Sequence, residues 1–223
     1  MIFTTLAPLV TLALATLSAA APSANGIKCK SFINGQLIAY QPDDYVTKIT
    51  TGFFKGVTDS QDRKILTLEG NGRSPAPVGF VFHVCSSKYM HSGEQGSKAA
   101  IQYYGIVTPA NHQDRCLQAA TVRKASGPTH IVSGPCNYKD TIDVQLPQWW
   151  VLTVQGKNKY LALDGVPAKP VKGVKYGSYS VKRVQSKNTA KELYGHATFL
   201  ELDWTPKYNG TEMVLGLGDP VQA

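Results

Sequence analysis

The chain lacks the short motifs that identify the common hydrolases and metalloenzymes. No H-E-x-x-H or G-x-S-x-G sequence occurs, and its four cysteines include no C-x-x-C spacing. Among the five histidines, only His83 and His91 fall near each other, and the Cys85 beside them is expected to form a disulfide. These absences lead us to expect no enzyme, no bound metal and no cofactor.

The chain also has little that predicts helices or membrane spans. After the N-terminus, no stretch of about 11 residues or more repeats its apolar residues at the helical period of 3.6. The first 21 residues carry no charge, and their apolar run Leu6–Leu17 is too short to cross a bilayer comfortably. Small residues follow at Ser18-Ala19-Ala20. We predict a signal peptide over residues 1–20, an extracellular secreted protein and no membrane span.

The remaining chain, residues 21–223, is predicted to form one all-β domain. Its clearest strand signal is Gln148–Leu152, a short aromatic and β-branched run between Pro147 and Gly156. Because side chains alternate along a strand, we expect Trp150 in the core and Trp149 on the opposite face.

Three similar segments are predicted over residues 54–104, 105–155 and 156–204. Their first strands align at Ile65, Cys116 and Tyr160, and second strands end at Cys85 and Cys136 in the first two copies. A Gln-aromatic-aromatic strand closes those two copies, at 102–104 and 148–150, and 197–202 takes its place in the third. Two further N-terminal strands, at 36–40 and 45–50, are expected beyond the copies.

Four cysteines behind a signal peptide predict two disulfides, for which three pairings exist. In the second copy, Cys116 and Cys136 lie on adjacent strands and are predicted to pair. The matching first-strand position of the first copy is Ile65, so Cys85 has no local partner. We therefore predict that Cys29 pairs with Cys85.

The repeated strands resemble the ricin-B-type β-trefoil, a fold of some secreted fungal proteins. Cys116-Leu117-Gln118, Cys136 and Gln148-Trp149-Trp150 carry the resemblance. It implies a pseudo-threefold barrel with a triangular cap, Trp150 and Tyr104 in its core, and a shallow sugar pocket in some copies. A lectin-like protein that binds cell-wall or anionic glycans is therefore one function that we expect.

The sequence differs from this family at the positions whose side chains bind the sugar. The family has an Asp two residues after the first-strand cysteine, where this chain has Thr67, Gln118 and Ala162. The Asn that tends to precede the family's Gln-x-Trp glutamine is replaced by Ile101 and Pro147. No galactose-type site carries over, so a glycan would have to bind through other groups.

Positive charge is concentrated in the third copy. The net charge is +8, and residues 156–191 hold nine Lys and Arg residues against Asp164 alone. A solvated outer face is the alternative reading of these cations. The other interpretation is a binding face for acidic glycans rather than for nucleic acid. Its candidate residues are Lys172, Lys175, Tyr176, Tyr179, Lys182 and Arg183. A second, neutral-sugar pocket is predicted around Tyr138, Asp140 and Asp143.

A protein-binding function is the alternative from another class. The proline-containing segments 73–77 and 166–170 are candidate rigid loops of a protease inhibitor, and a secreted effector without a small ligand is a further option. We expect a monomer, N-glycosylated at Asn209 in the sequon Asn209-Gly210-Thr211.

Overall fold

The structure, a computed structural model, describes residues 26–41, 44–54, 57–68, 76–122, 128–185, 198–205 and 213–218. The predicted signal peptide and the predicted glycosylation site Asn209 lie outside these residues. Within them the chain is all-β, as predicted, with one four-residue helix, α1 (Ile142–Gln145), and a 3-10 turn at Leu146–Gln148. None of the described helices is long and apolar enough to cross a membrane.

Fifteen strands are described and are numbered here in chain order. They are β1 (Lys28–Gln41), β2 (Asp44–Phe53), β3 (Lys64–Ile65), β4 (Thr67–Leu68), β5 (Ala76–Pro77), β6 (Gly79–Ser86), β7 (Glu94–Ser97), β8 (Ala100–Pro109), β9 (Arg115–Ala119), β10 (Thr129–Pro135), β11 (Trp150–Gln155), β12 (Asn158–Leu163), β13 (Ser178–Gln185), β14 (Thr198–Thr205) and β15 (Val214–Leu217).

Six of these strands form a closed antiparallel barrel. Its order is β1-β6-β8-β11-β12-β15, and β15 returns to pair with β1 at Leu37↔Leu217. A short turn explains why β11 and β12 are neighbours, because Gly156, with φ +59°, reverses the chain between them. Closure leaves no free edge among the six strands.

Three strand pairs form a cap on this barrel: β2 with β4, β9 with β10, and β13 with β14. The pairs also join one another, since β14 bonds both β4 and β10. Cap residues such as Leu117, Ile131 and Leu200 belong to the same buried cluster as the barrel residues Phe82 and Trp150. The cap therefore completes the barrel core.

Three strands take different places from those expected. The two N-terminal strands predicted beyond the three copies, at 36–40 and 45–50, are the barrel strand β1 and the cap strand β2. The segment predicted to close the third copy, residues 197–202, falls largely in the cap strand β14, and the barrel is closed by β15 instead. The alternation of side chains in the sequence predicts where a strand lies but not which strand it pairs with. The expected and observed places differ because these strands pair with other partners than expected.

The barrel wall is buried on both faces around strand β11. Trp150 lies in the barrel core and Trp149 lies in a second cluster on the outer face, and both side chains are 0% exposed. The prediction that the two rings lie on opposite faces is confirmed, but the outer face, on which Trp149 lies, is also buried. Tyr104, expected in the barrel core, packs with Trp149 in the outer cluster, while its neighbour Tyr103 packs against the core.

Two disulfides border this outer cluster. Cys29 pairs with Cys85 across the adjacent strands β1 and β6, and Cys116 pairs with Cys136, as the sequence predicts. All four cysteines pack in the outer cluster or against it. The Cys116–Cys136 bond therefore fixes the loop that follows β10 beside Trp149, while the Cys29–Cys85 bond links two barrel strands.

Candidate functional site

A groove of about 640 Å³ opens between α1, the loop of residues 164–177 and the cap strand β14. Aliphatic side chains form much of its lining: Val122, Ile142, Leu146, Val171 and Val174. Small-molecule sites are mostly apolar concavities of this size with a few polar groups. The groove therefore meets the size and shape requirement for one ligand ring or a short chain of rings.

Three aromatic residues add to this lining. Trp204 and Tyr176 are half-buried and Tyr179 is buried, so ring surface from the first two remains open to a ligand. The Tyr176 hydroxyl accepts a hydrogen bond from the Val171 N–H at 3.3 Å, which fixes the ring within its own loop. Burial raises the pKa of Tyr179 above its usual value, so its phenol is neutral at physiological pH.

The groove carries two exposed charges of opposite sign. Asp143 lies in the first turn of α1, and Lys175 lies in the loop before Tyr176. A smaller cavity of about 250 Å³ shares Asp143 with the groove and extends toward Arg63. Arg63 is engaged with Asp59, at 2.6 Å, so Asp143 and Lys175 are the groove charges that a ligand can reach.

Buried amides hold α1 in place. The Gln145 side chain donates to the carbonyls of Asn137 and Lys139, at 2.9 and 2.7 Å. Gln148 donates to Gln145 at 2.9 Å and accepts from Gln118 at 3.2 Å. The glutamine of the Gln-x-Trp sequence therefore positions the helix that carries Asp143.

The loop of residues 164–177 is anchored at its start. The Asp164 N–H donates to the Trp149 carbonyl at 2.8 Å, and the Asp164 carboxylate meets His91 Nδ1 at 3.0 Å. Burial raises the pKa of Asp164, an effect that His91 partly offsets. A Cβ at Gly165 would lie 2.7 Å from the Tyr179 ring, so glycine permits this close approach.

The predicted basic face does not gather in one place. Lys175, Tyr176 and Tyr179 line the groove, and Lys172 is exposed on the same loop. Lys182 instead forms an ion pair with Asp203 at 2.6 Å, while Arg183 is exposed on β13.

Two other cations of the predicted third copy lie at the far end of β12. Lys157 and Lys159 follow Gly156 at the turn. They are six and four residues from Leu163 along the chain, spans of about 20 and 14 Å for an extended strand. The last two cations, Lys187 and Lys191, lie outside the described residues. The cations of the third copy are therefore distributed over the molecule.

The three residues predicted to form a neutral-sugar pocket do not form one site either. Asp143 is in the groove, and Tyr138 is 44% exposed on the preceding loop. Asp140 is engaged internally, because its two oxygens bind the Ser87 hydroxyl at 2.6 Å and the Lys88 N–H at 2.9 Å. Its carboxylate holds two loops together.

Trp204 is the groove residue that sequence reasoning missed. It follows Leu200 and Leu202 at the spacing of one strand face, both of which are buried in the barrel core. The same alternation would have predicted Trp204 on the core side of the strand. Because it lies at the strand's end, its ring extends beyond the core into the groove. Val122, Ile142 and Leu146 gave no comparable signal, because the groove joins segments distant in the sequence.

Among the described residues, no three His, Cys, Asp or Glu side chains are grouped as metal ligands. In comparison with known proteins, the chain matches no family model, no curated protein sequence and no solved structure. A function for the chain therefore has to be inferred from the residues of the structure itself.

Proposed function

We propose that the chain is a secreted β-trefoil protein that binds carbohydrate in the groove beside α1. The strand order supports the trefoil, because each third of the chain supplies two barrel strands and one cap pair. These thirds run from β1 to β6, from β8 to β11 and from β12 to β15. Two disulfides are compatible with an extracellular protein and support secretion.

The observation that carries the proposal is the open ring surface of Tyr176 and Trp204 beside Asp143 and Lys175. A sugar ring has an apolar face that packs on an aromatic ring, and hydroxyls at its edge that need hydrogen-bond partners. Asp143 accepts such bonds and Lys175 donates them. The aliphatic lining excludes water from the stacked face.

This site differs from the sugar site that the family resemblance would place. Thr67 is buried and donates to the Gly52 carbonyl at 2.9 Å, and Gln118 donates to the Pro135 carbonyl at 2.8 Å. Thr67 is therefore closed to a sugar, and Gln118, which lines the smaller cavity, has its amide N–H groups bonded within the protein. The groove lies elsewhere and uses other residue types, which accounts for the missing family carboxylates.

Charge favours acidic glycans over neutral ones. Lys175 lies in the groove, and Lys169 and Lys172 are exposed on the same loop, whereas Asp143 is the acidic residue of the lining. Exposed ion pairs are individually weak and are screened over about 8 Å at physiological salt. Binding should therefore be modest and should weaken as salt is added.

A binding titration tests this function. We expect the secreted protein to bind oligomers of a uronic acid more tightly than oligomers of glucose, measured by calorimetry at low and physiological salt. Tyr176→Ala and Trp204→Ala should each lower the affinity, since stacking on aromatic rings is lost. Phe32→Ala, which removes an exposed ring outside the groove, is the matched control. Equal affinity for all four proteins would contradict the proposal.

One observation favours a protease inhibitor as the second candidate. The loop 166–170 is exposed but tethered, because Pro167 is buried and the Lys169 N–H donates to the Tyr89 carbonyl at 3.2 Å. A tethered loop binds with a smaller ordering cost. The other predicted loop, 73–77, lies mostly outside the described residues. A panel of serine and cysteine proteases, with Lys169→Ala as the loop variant, separates this function from glycan binding.

A further inference from the structure

Three loops form one continuous surface next to the groove, here called the three-loop surface: residues 87–92, 137–141 and 164–176. Asp140 joins the second loop to the first through Ser87 and Lys88. The third loop joins the first through the hydrogen bond between Lys169 N–H and the Tyr89 carbonyl. His91 and Asp164 add a further link between the first and third loops.

Exposed apolar side chains are concentrated on this surface. Among the described residues, five large hydrophobic side chains are strongly exposed, and four of them lie on these three loops. They are Tyr89 at 40%, Tyr138 at 44%, Val166 at 38% and Val171 at 51%. The fifth, Phe32, lies on β1. Scattered apolar residues need no explanation, but a group on adjoining loops marks an interaction site.

The charges of the same loops are sorted by sign. All five lysines are exposed: Lys88, Lys139, Lys169, Lys172 and Lys175. The two acidic residues, Asp140 and Asp164, are turned inward and bonded to the neighbouring loop. Beyond the loops, the three exposed carboxylates Glu94, Asp114 and Asp143 offset part of this positive charge, which remains outnumbered by the five lysines.

We propose that the three-loop surface docks on an anionic phospholipid bilayer. Lysines near such a membrane are attracted by its negative headgroups, and tyrosines favour the boundary between headgroups and hydrocarbon. Val166 and Val171 distinguish a bilayer from an acidic polysaccharide. Aliphatic tips enter the acyl boundary favourably, whereas they offer a hydrated polyanion neither charge nor a hydrogen bond.

The surface adds a function to the groove and does not depend on it. The groove shares five residues with the third loop, and Trp204 and Asp143 lie outside the three loops. The shared residues are Gly165, Val171, Val174, Lys175 and Tyr176. A protein docked through these loops would hold the groove near the membrane surface, where glycans attached to lipids or membrane proteins are found.

Vesicle co-sedimentation of the full secreted chain tests the charge requirement. We expect binding to phosphatidylcholine vesicles that contain phosphatidylserine, and not to vesicles of phosphatidylcholine alone. Changing Lys88, Lys139, Lys169 and Lys172 together to Gln should weaken binding several-hundredfold, at about fivefold for each lysine. The matched control changes the exposed Lys30, Lys64, Lys98 and Lys157 to Gln and removes the same charge elsewhere. Equal losses in both variants would overturn the proposal.

A second variant tests the apolar requirement with all lysines intact. Tyr89→Ser, Tyr138→Ser and Val166→Ser together should lower vesicle binding at least tenfold, whereas Phe32→Ser should leave it unchanged. Dextran sulfate should bind the triple variant as well as it binds the original protein. Unchanged vesicle binding by the triple variant would show that only the positive charge matters and would overturn the proposal. Absence of vesicle binding by the original protein would also overturn it. Trp204→Ala keeps the three loops, so its vesicle binding separates this proposal from the groove.

Discussion

The two hydrophobic clusters on either side of strand β11 are equally buried but are built differently. The inner cluster, around Trp150, comes from barrel and cap strands whose side chains alternate in and out. The outer cluster, around Trp149, is covered by loops that the Cys116–Cys136 disulfide and several polar groups hold in place, and the Cys29–Cys85 disulfide between two barrel strands also borders it. Paired strands make the first core, whereas loops and cross-links complete the second. The groove borders both, because Tyr179 and Trp204 belong to or pack against the inner cluster and Leu146 packs against the outer one.

The largest expected effect is in the inner cluster. Trp150→Ala should lower the free energy of unfolding by up to about 5 kcal/mol, because it removes a fully buried indole and its hydrogen bond to the Leu117 carbonyl. Chemical denaturation followed by circular dichroism measures the loss. Trp150→Phe keeps much of the volume and should lose less. A loss below 1 kcal/mol for the alanine variant would contradict the assignment of this ring to the barrel core.

Trp149→Ala should cost somewhat less, about 3 kcal/mol. Its indole is also fully buried and donates to the His91 carbonyl at 2.9 Å, but the loops around it can collapse into the space more easily than barrel strands can. The same melts provide the comparison. Because the Trp149 carbonyl also anchors Asp164, this variant should weaken ligand binding in the groove, while Trp150→Phe should not. An identical effect of both variants on binding would remove the distinction between the clusters.

Loss of the Cys116–Cys136 cross-link should come next. The bond joins residues 20 apart, and a loop of this length corresponds to about 2–3 kcal/mol of stability. The double Cys→Ala variant should keep slow hydrogen exchange in the barrel strands and show faster exchange in residues 137–149. Uniformly faster exchange would indicate that the disulfide supports the barrel as much as the outer cluster.

The smallest effect concerns pH and His83, which lies on the outer face of β6, one position beyond Phe82. Burial lowers the pKa of His83 below its usual 6.5, so the folded state binds fewer protons than the unfolded state. Its stability contribution is therefore present above pH 6.5 and is lost as pH falls through the folded pKa. Melts of the original protein and of His83→Gln, between pH 7.5 and 5.5, should converge as the pH falls. Parallel curves would show that His83 does not titrate differently on folding.

The sequence carried enough information for the strands and the cross-links, but not for their pairing. The alternation of side chains along a strand predicted Trp149 and Trp150 on opposite faces. Because Cys85 had no partner in its own copy, its disulfide to Cys29 could also be predicted. The same signals could not show that Gln102-Tyr103-Tyr104 and Gln148-Trp149-Trp150 occupy different strand roles, because two strands can share a pattern and differ in partners. Tyr104 therefore faces outward where Trp150 faces inward.

The candidate site was only half predictable for a related reason. Lys175, Tyr176 and Tyr179 were found because they are close in sequence and sit in a basic segment. Trp204 and Asp143 reach the same groove from a cap strand and from α1. That meeting depends on the tertiary arrangement of three segments, which no local period encodes.

The three tryptophans offer the most direct test of glycan binding in the groove. Trp149 and Trp150 are fully buried and their indole N–H groups are bonded internally, whereas Trp204 is half-buried at the groove. A two-dimensional NMR titration with an oligomer of a uronic acid should shift the indole signal of Trp204 progressively to saturation. The signals of Trp149 and Trp150 should move little. Saturable binding that leaves the Trp204 signal in place would contradict the groove as the binding site, and so would the absence of binding to acidic and neutral oligosaccharides alike.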